Sequence, residues 1–192
     1  MLRIDETSGT LVAPAAAGLE REAAPEREAL LSLVTGSWDA FAGELGIGDV
    51  TLVAREPVPY VDLLGLDRVQ RRPVVVLVTG DSVEWQLGRA LGAAAEVASW
   101  DAAQLAAIDQ ALTGVAPGQS PALVLVAAGY DPRALATIAW LSTSHQLPIA
   151  AYTLAIVRFG GERLLSLRRE PAEVDRDAAA EIQALLQETI GR

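Results

Sequence analysis

The chain has 192 residues, 51% of them hydrophobic, a formal net charge of −10 and no cysteine. Its length and apolar content suit one domain with a substantial core and exclude a disordered chain, and the missing cysteine excludes disulfides, thiolate chemistry and cysteine metal sites. The acidic balance disfavours nucleic acid as a partner, since broad, non-specific binding needs a basic face to neutralise phosphates, but leaves room for a local arginine patch; because all 15 basic residues are arginine no lysine can serve as nucleophile, Schiff base or electrostatic catalyst.

The opening segment, residues 1–18, is weakly patterned. Thr10–Ala13 suggests a short edge strand and Pro14–Gly18 a linker. MLRIDETSGT carries acids early and lacks the apolar core of a signal peptide. No apolar run reaches about 18 residues, so no membrane-spanning helix is expected and a cytoplasmic location is the default. From Leu19 to Val34 the pattern is helical, with Leu30, Leu31 and Val34 on one stripe, Pro25 suited to the true first turn and Gly36 as the stop. Trp38, Phe41 and Leu45 then mark a short second helix.

Val50–Arg55 reads as a strand closed by Pro57 and Pro59. Two more follow, Val61–Leu66 and Val74–Thr79, joined by a charged turn over Asp67–Arg72. The last is apolar and β-branched nearly throughout, as expected of a strand covered on both faces. Asp62 stands out as a carboxylate among hydrophobic residues. Asp81 or Ser82 then caps a helix over Ser82–Val97, whose inner stripe is Val83, Leu87, Ala90, Leu91 and Ala94. Gly88 and Gly92, four apart, leave one face of that helix able to approach another backbone closely.

Asp101 and Gln104 form a capping box for the next helix, with Leu105, Ile108 and Leu112 inward and Gly114 at its end. Ala122–Ala127 is a strand. Asp131-Pro132 opens a helix with Leu135, Ile138, Ala139 and Leu141 inward. Pro148 precedes a long strand, Ile149–Phe159, and Gly160-Gly161 is a hairpin signal returning the chain over Glu162–Arg169. After Pro171, Ala178, Ile182, Leu185 and Leu186 outline an amphipathic C-terminal helix. The expected architecture is α/β: a mixed central sheet, made of an antiparallel meander and a strand–helix–strand crossover, flanked by helices. The domain spans 19–170, with 1–18 and the helix of 171–192 as its flanks.

Three stretches, VAREPVPYVDLLGLD (Val53–Asp67), RPVVVLVTGDSVEWQLGRALGAAAEVASW (Arg72–Trp100) and PALVLVAAGYDPRALATIAWL (Pro121–Leu141), resemble the restriction-endonuclease-like PD-(D/E)XK superfamily. The likeness is to its bacterial branch similar to the nuclease domain of mismatch-cleaving endonucleases, and it covers roughly residues 20–170. The resemblance implies a site made of a motif aspartate, an acid on the next strand and a lysine two residues later, with the acids holding Mg²⁺ or Mn²⁺ through oxygen ligands. Carried over, Asp62 matches the aspartate, Leu77 falls at the acid, Thr79 at the lysine, Arg89 at a glutamine of the following helix, and Glu56 matches an upstream acid. Leucine ligates nothing and no lysine exists, so the resemblance implies an inactive nuclease relative. Such a protein needs no cofactor and acts as a binding or structural module through self-association or a protein partner. The alternative is a divergent Mg²⁺- or Mn²⁺-dependent DNA endonuclease with a rearranged site, Asp62 working with Asp81 or Glu84.

Each of these residues also has a plainer reading. Asp62 can cap the turn near Pro59 or lie exposed, and Glu56, Asp81 and Glu84 can be solvated acids or caps. Arg68, Arg71 and Arg72 suit a wet turn, and Arg158, Arg163, Arg168 and Arg169 a solvated hairpin. A phosphate-contacting role is the sharper reading of both groups. His145 suits a helix C-terminus, and Trp38, Trp85, Trp100 and Trp140 suit core or interface positions.

Overall fold

A computed structural model describes residues 3–5, 10–12, 20–23, 26–79, 86–159 and 162–170. Strands β1 (Arg3–Asp5) and β2 (Thr10–Val12) pair with each other as a small antiparallel ribbon. The main sheet takes in β3 (Glu20–Glu22), β4 (Val50–Arg55), β5 (Leu63–Asp67), β6 (Arg72–Val78), β7 (Ala122–Ala127), β8 (Ile149–Phe159) and β9 (Glu162–Arg169). Its order is β3-β8-β7-β6-β5-β4, with β9 also on β8. β4, β5 and β6 form the antiparallel meander, while β6, β7 and β8 run parallel. The expected mixed α/β sheet is therefore present.

Helices α1 (Arg27–Gly36) and α2 (Trp38–Glu44) cover one face, and α3 (Gln86–Ser99), α4 (Ala102–Ile108) and α5 (Pro132–Ser144) the other. Strand alternation decides which residue meets which layer. Val74, Val76, Val78, Val124 and Val126 pack with Leu30, Leu31 and Trp38 of the first helical layer. Val75, Leu77, Leu123 and Leu125 pack with Ala90, Ala93, Val97 and Leu105 of the second. With both faces covered, β6 has no polar side to show after Arg72, which is why Pro73–Val78 is continuously apolar.

The polar tips of Trp38, Tyr130 and Tyr152 all find partners. Trp38 Nε1–H donates to the Val50 carbonyl at 2.9 Å and the Tyr152 hydroxyl to the Leu45 carbonyl at 2.6 Å, tying α2 to both ends of the sheet. The Tyr130 hydroxyl donates to the Leu125 carbonyl at 2.8 Å, and burial pushes its pKa up. Gly65, in the middle of β5, is required sterically. A Cβ there would meet Val50 Cγ1 at 2.5 Å and the Thr51 carbonyl at 3.2 Å, because β4 presses close where its register shifts between Leu52 and Ala54.

Several expectations need correction. The helical pattern from Leu19 yields a helix only from Arg27, two residues after the Pro25 expected to set its true start, and Glu20–Glu22 is a strand. The cause is tertiary. β7 pairs β8 over Ile149–Thr153, and β9 pairs it over Tyr152–Phe159. Since β9 overlaps both, β3 and β7 share the other edge of β8 end to end. β3 takes the backbone groups of Ile156–Arg158 that β7 is too short to reach. The two central strands start and stop up to two residues away from the expected bounds, and α4 ends at Ile108, with Leu112 in a separate 3-10 turn over Gln110–Leu112.

Leu91, expected on the buried stripe of α3, is exposed; of the tryptophans, Trp38 and Trp100 lie in the core and Trp140 on α5 is exposed. Trp140 packs edge-on against His145, the C-cap of α5. The Asp101–Gln104 capping box and the Asp131 cap with Pro132 in the first turn are as expected. The Pro14–Gly18 linker, Pro25, Val83, Trp85, the Gly160-Gly161 turn, the Arg163 side chain and the C-terminal helix of 171–192 lie outside the described residues. Across Gly160 and Gly161, Phe159 pairs with Glu162, so β8 and β9 do form an antiparallel hairpin. No helix among the described residues is long and apolar enough to cross a membrane.

Candidate functional site

The site is assembled where the meander meets both helical layers. β4 ends at Arg55, and the loop to β5 turns back sharply: Glu56 (φ 48°) and Tyr60 (φ 75°) both hold left-handed backbone. For non-glycine residues that conformation costs about 1–2 kcal/mol each. It brings the Glu56 N–H onto the Asp62 carbonyl at 2.9 Å, so the two acids sit side by side at the sheet end.

Asp62 precedes β5 and is 0% exposed. The Leu63–Val76 pairing, continued by one residue, sets it across from Leu77 of β6. Ladder pairing between β5 and β6 stops at Val76, and the Val78 N–H donates instead to Asp62 Oδ2 at 2.8 Å. On the other oxygen two guanidinium groups converge. Arg27 Nη2, at the first residue of α1, and Arg89 Nη2, on α3, each donate to Asp62 Oδ1 at 2.5 Å. Burying a carboxylate without a partner costs several kcal/mol, and these charge-assisted bonds offset it. One aspartate thus ties the helical layers of both faces across the sheet end.

Arg27 Nη2 also donates to Glu56 Oε1 at 2.7 Å. Glu56 Oε2 lies 3.6 Å from Arg55 Nε, and Arg55 in turn pairs with Glu28. The charges alternate from solvent to core: Glu28, Arg55, Glu56, Arg27, Asp62, Arg89. Three acids against three arginines leave no net charge to attract a divalent cation or a phosphate. Asp62 beside it, then desolvation and Glu56, determine the state of the Arg27 guanidinium; its pKa is raised on balance, and hydrogen bonding to Arg27 lowers that of Glu56.

The residues singled out in the sequence therefore fall into three groups. Asp62, Glu56 and Arg89 meet in this cluster. Glu56 is 41% exposed but ion-paired, and Asp62 is neither exposed nor a cap for the turn at Pro59. Leu77 and Thr79 are buried beside it: Leu77 packs in the apolar layer facing α3, and the Thr79 N–H bonds the Val126 carbonyl. Asp81 and Glu84 lie outside the described residues.

Arg27 was missed in the sequence. The available signal was indirect: a carboxylate in an apolar strand, in a chain without lysine, must find arginine. The other arginine groups are separate from the cluster. Arg71 Nη2 donates to the Thr113 carbonyl at 2.7 Å, Arg158 pairs with Glu22 and Arg168 with Glu170. Among the described residues no three His, Cys, Asp or Glu side chains are placed to hold a metal ion. As they stand, the residues of the cluster do not fit one, since both Asp62 oxygens already accept from protein donors.

Fold and site together define an α/β protein with a mixed sheet, helices on both faces and a charge-balanced ionic cluster at one sheet end. No family model, no curated protein and no solved structure matches the chain.

Proposed function

We propose that the chain is a restriction-endonuclease-like protein without nuclease activity, acting as a binding or structural module through self-association or a protein partner. One observation carries this reading. The carboxylate that would anchor a metal is fully buried and saturated by Arg27, Arg89 and the Val78 N–H, and the residue across from it is leucine. The outer face of α3 supports the association half of the reading. A Cβ at Gly88 or Gly92 would meet nothing within 4 Å. Neither glycine is needed for internal packing, although each costs a helix interior about 1 kcal/mol relative to alanine. Nucleic acid is disfavoured as partner by the net charge of −10.

Calorimetric titration of metal-free protein with MnCl₂, wild type beside Asp62→Ala, tests the reading together with cleavage assays on duplex and single-stranded DNA. The expected result is no saturable heat in either protein and no cleavage. Saturable binding that disappears in Asp62→Ala, accompanied by cut DNA, would establish the divergent endonuclease instead, with Asp81 or Glu84 as the first residues to substitute.

A further inference from the structure

The strongest unexplained geometry is at a single atom. Arg27 Nη2 lies 2.7 Å from Glu56 Oε1 and 2.5 Å from Asp62 Oδ1. Two carboxylate oxygens from different parts of the chain therefore converge on one point that already holds positive charge. Their separation is at most the sum of those two distances, a span one ion bridges with metal–oxygen bonds of about 2.0–2.6 Å. Both acids are held by contacts that do not involve Arg27. The Glu56 N–H is bonded to the Asp62 carbonyl, and the Asp62 carboxylate is held by Arg89 and the Val78 N–H.

We infer that Arg27 is the resident cation of a two-carboxylate site formed by Glu56 and Asp62, its guanidinium filling the place between the two acids that a hard divalent cation would otherwise take beside Arg89. The inference rests on the reading that the wild-type protein binds no metal. Removing Arg27 leaves three acids and two arginines in the chain of charges, one net negative charge facing the vacated space. Arg27 is 41% exposed, so that space opens to solvent and an ion can enter with part of its water shell. Asp62 keeps Arg89 and the Val78 N–H, so the buried carboxylate is not stranded when Arg27 goes.

The test is MnCl₂ titration by calorimetry on the full chain as wild type, Arg27→Ala, Arg27→Gln and Arg27→Ala/Glu56→Gln, with far-UV circular dichroism to establish folding. Arg27→Gln serves the same purpose should the alanine variant fail to fold, because a neutral amide still donates to one of the carboxylates. Saturable Mn²⁺ binding in either single variant, at least about tenfold tighter than in wild type and lost with Glu56→Gln, is the expected result, since affinity for hard cations rises with the net ligand charge. Folded single variants that bind no more Mn²⁺ than a silent wild type would overturn this inference and leave the proposed function standing. Binding that persists in Arg27→Ala/Glu56→Gln would overturn it too, since Glu56 would then be no ligand. Tight binding by the wild type would overturn the proposed function itself.

Discussion

At the scale of single residues, Asp62 and Arg27 share one bond but carry unequal structural weight. Asp62→Ala strands the Arg89 guanidinium, which is only 13% exposed, and leaves the buried Val78 N–H without its acceptor. Breaking a buried ion pair from one side costs about 3–5 kcal/mol. Arg27→Ala removes one of two cations from an aspartate that keeps Arg89 and the Val78 N–H, and Arg27 itself is partly exposed, so the cost is smaller. Urea unfolding of the two variants should show that order, and equal losses would mean that Arg27 is the main counter-ion of Asp62. The sequence revealed half of this pair. A carboxylate inside an apolar strand is conspicuous, whereas Arg27 lies 35 residues away in a helix start dense with ordinary charges, and nothing local marks it as a core partner. Leu77 and Thr79 were legible for what they lack, because absent ligand atoms can be read from the residue names alone.

At the scale of elements, legibility tracks how local the determining forces are. β7 and β8 have the bounds expected from their apolar runs and flanking prolines. The caps at Asp101 and Asp131 need only three neighbouring residues to form, and both are present. β3 was misread as helix, since LEREAA has good helix formers and the unpaired edge that recruits it belongs to a strand more than 130 residues later. Gly65 carries a similar distant constraint. Gly65→Ala places a methyl 2.5 Å from Val50 Cγ1 in the tightest part of the β4–β5 pair. The expected cost is about 1–3 kcal/mol by overpacking, read as a lowered urea midpoint. An unchanged midpoint would mean that β4 can slide away from β5 freely.

At the scale of the whole molecule, the α/β class followed from the order of helical and strand patterns, and the two-sided burial from the apolar run of β6 after Arg72. The assignment of each helix to a face did not, because it depends on which alternate side chains of the sheet each helix meets. The shared edge of β8 has a consequence for how this sheet is completed. β3 joins through three residue pairs, yet the Arg158–Glu22 contact beside them closes a loop of 136 residues. Three residue pairs on one edge are a short ladder, beside a strand that β9 already holds along its other edge. Docking of β3 is accordingly the last step of assembly and the first to reverse, an opening that leaves the parallel centre intact. Native-state amide exchange should show Glu20–Glu22 and the β8 amides that face them exchanging far faster than Leu123–Val126, and equal protection would mean that the sheet opens only as a unit. In that partly open state the chain exposes a free strand edge at Ile156–Arg158 while the ionic cluster at Asp62 is still closed, so a new edge for intermolecular pairing and a buried charge cluster lie in the same sheet and open separately.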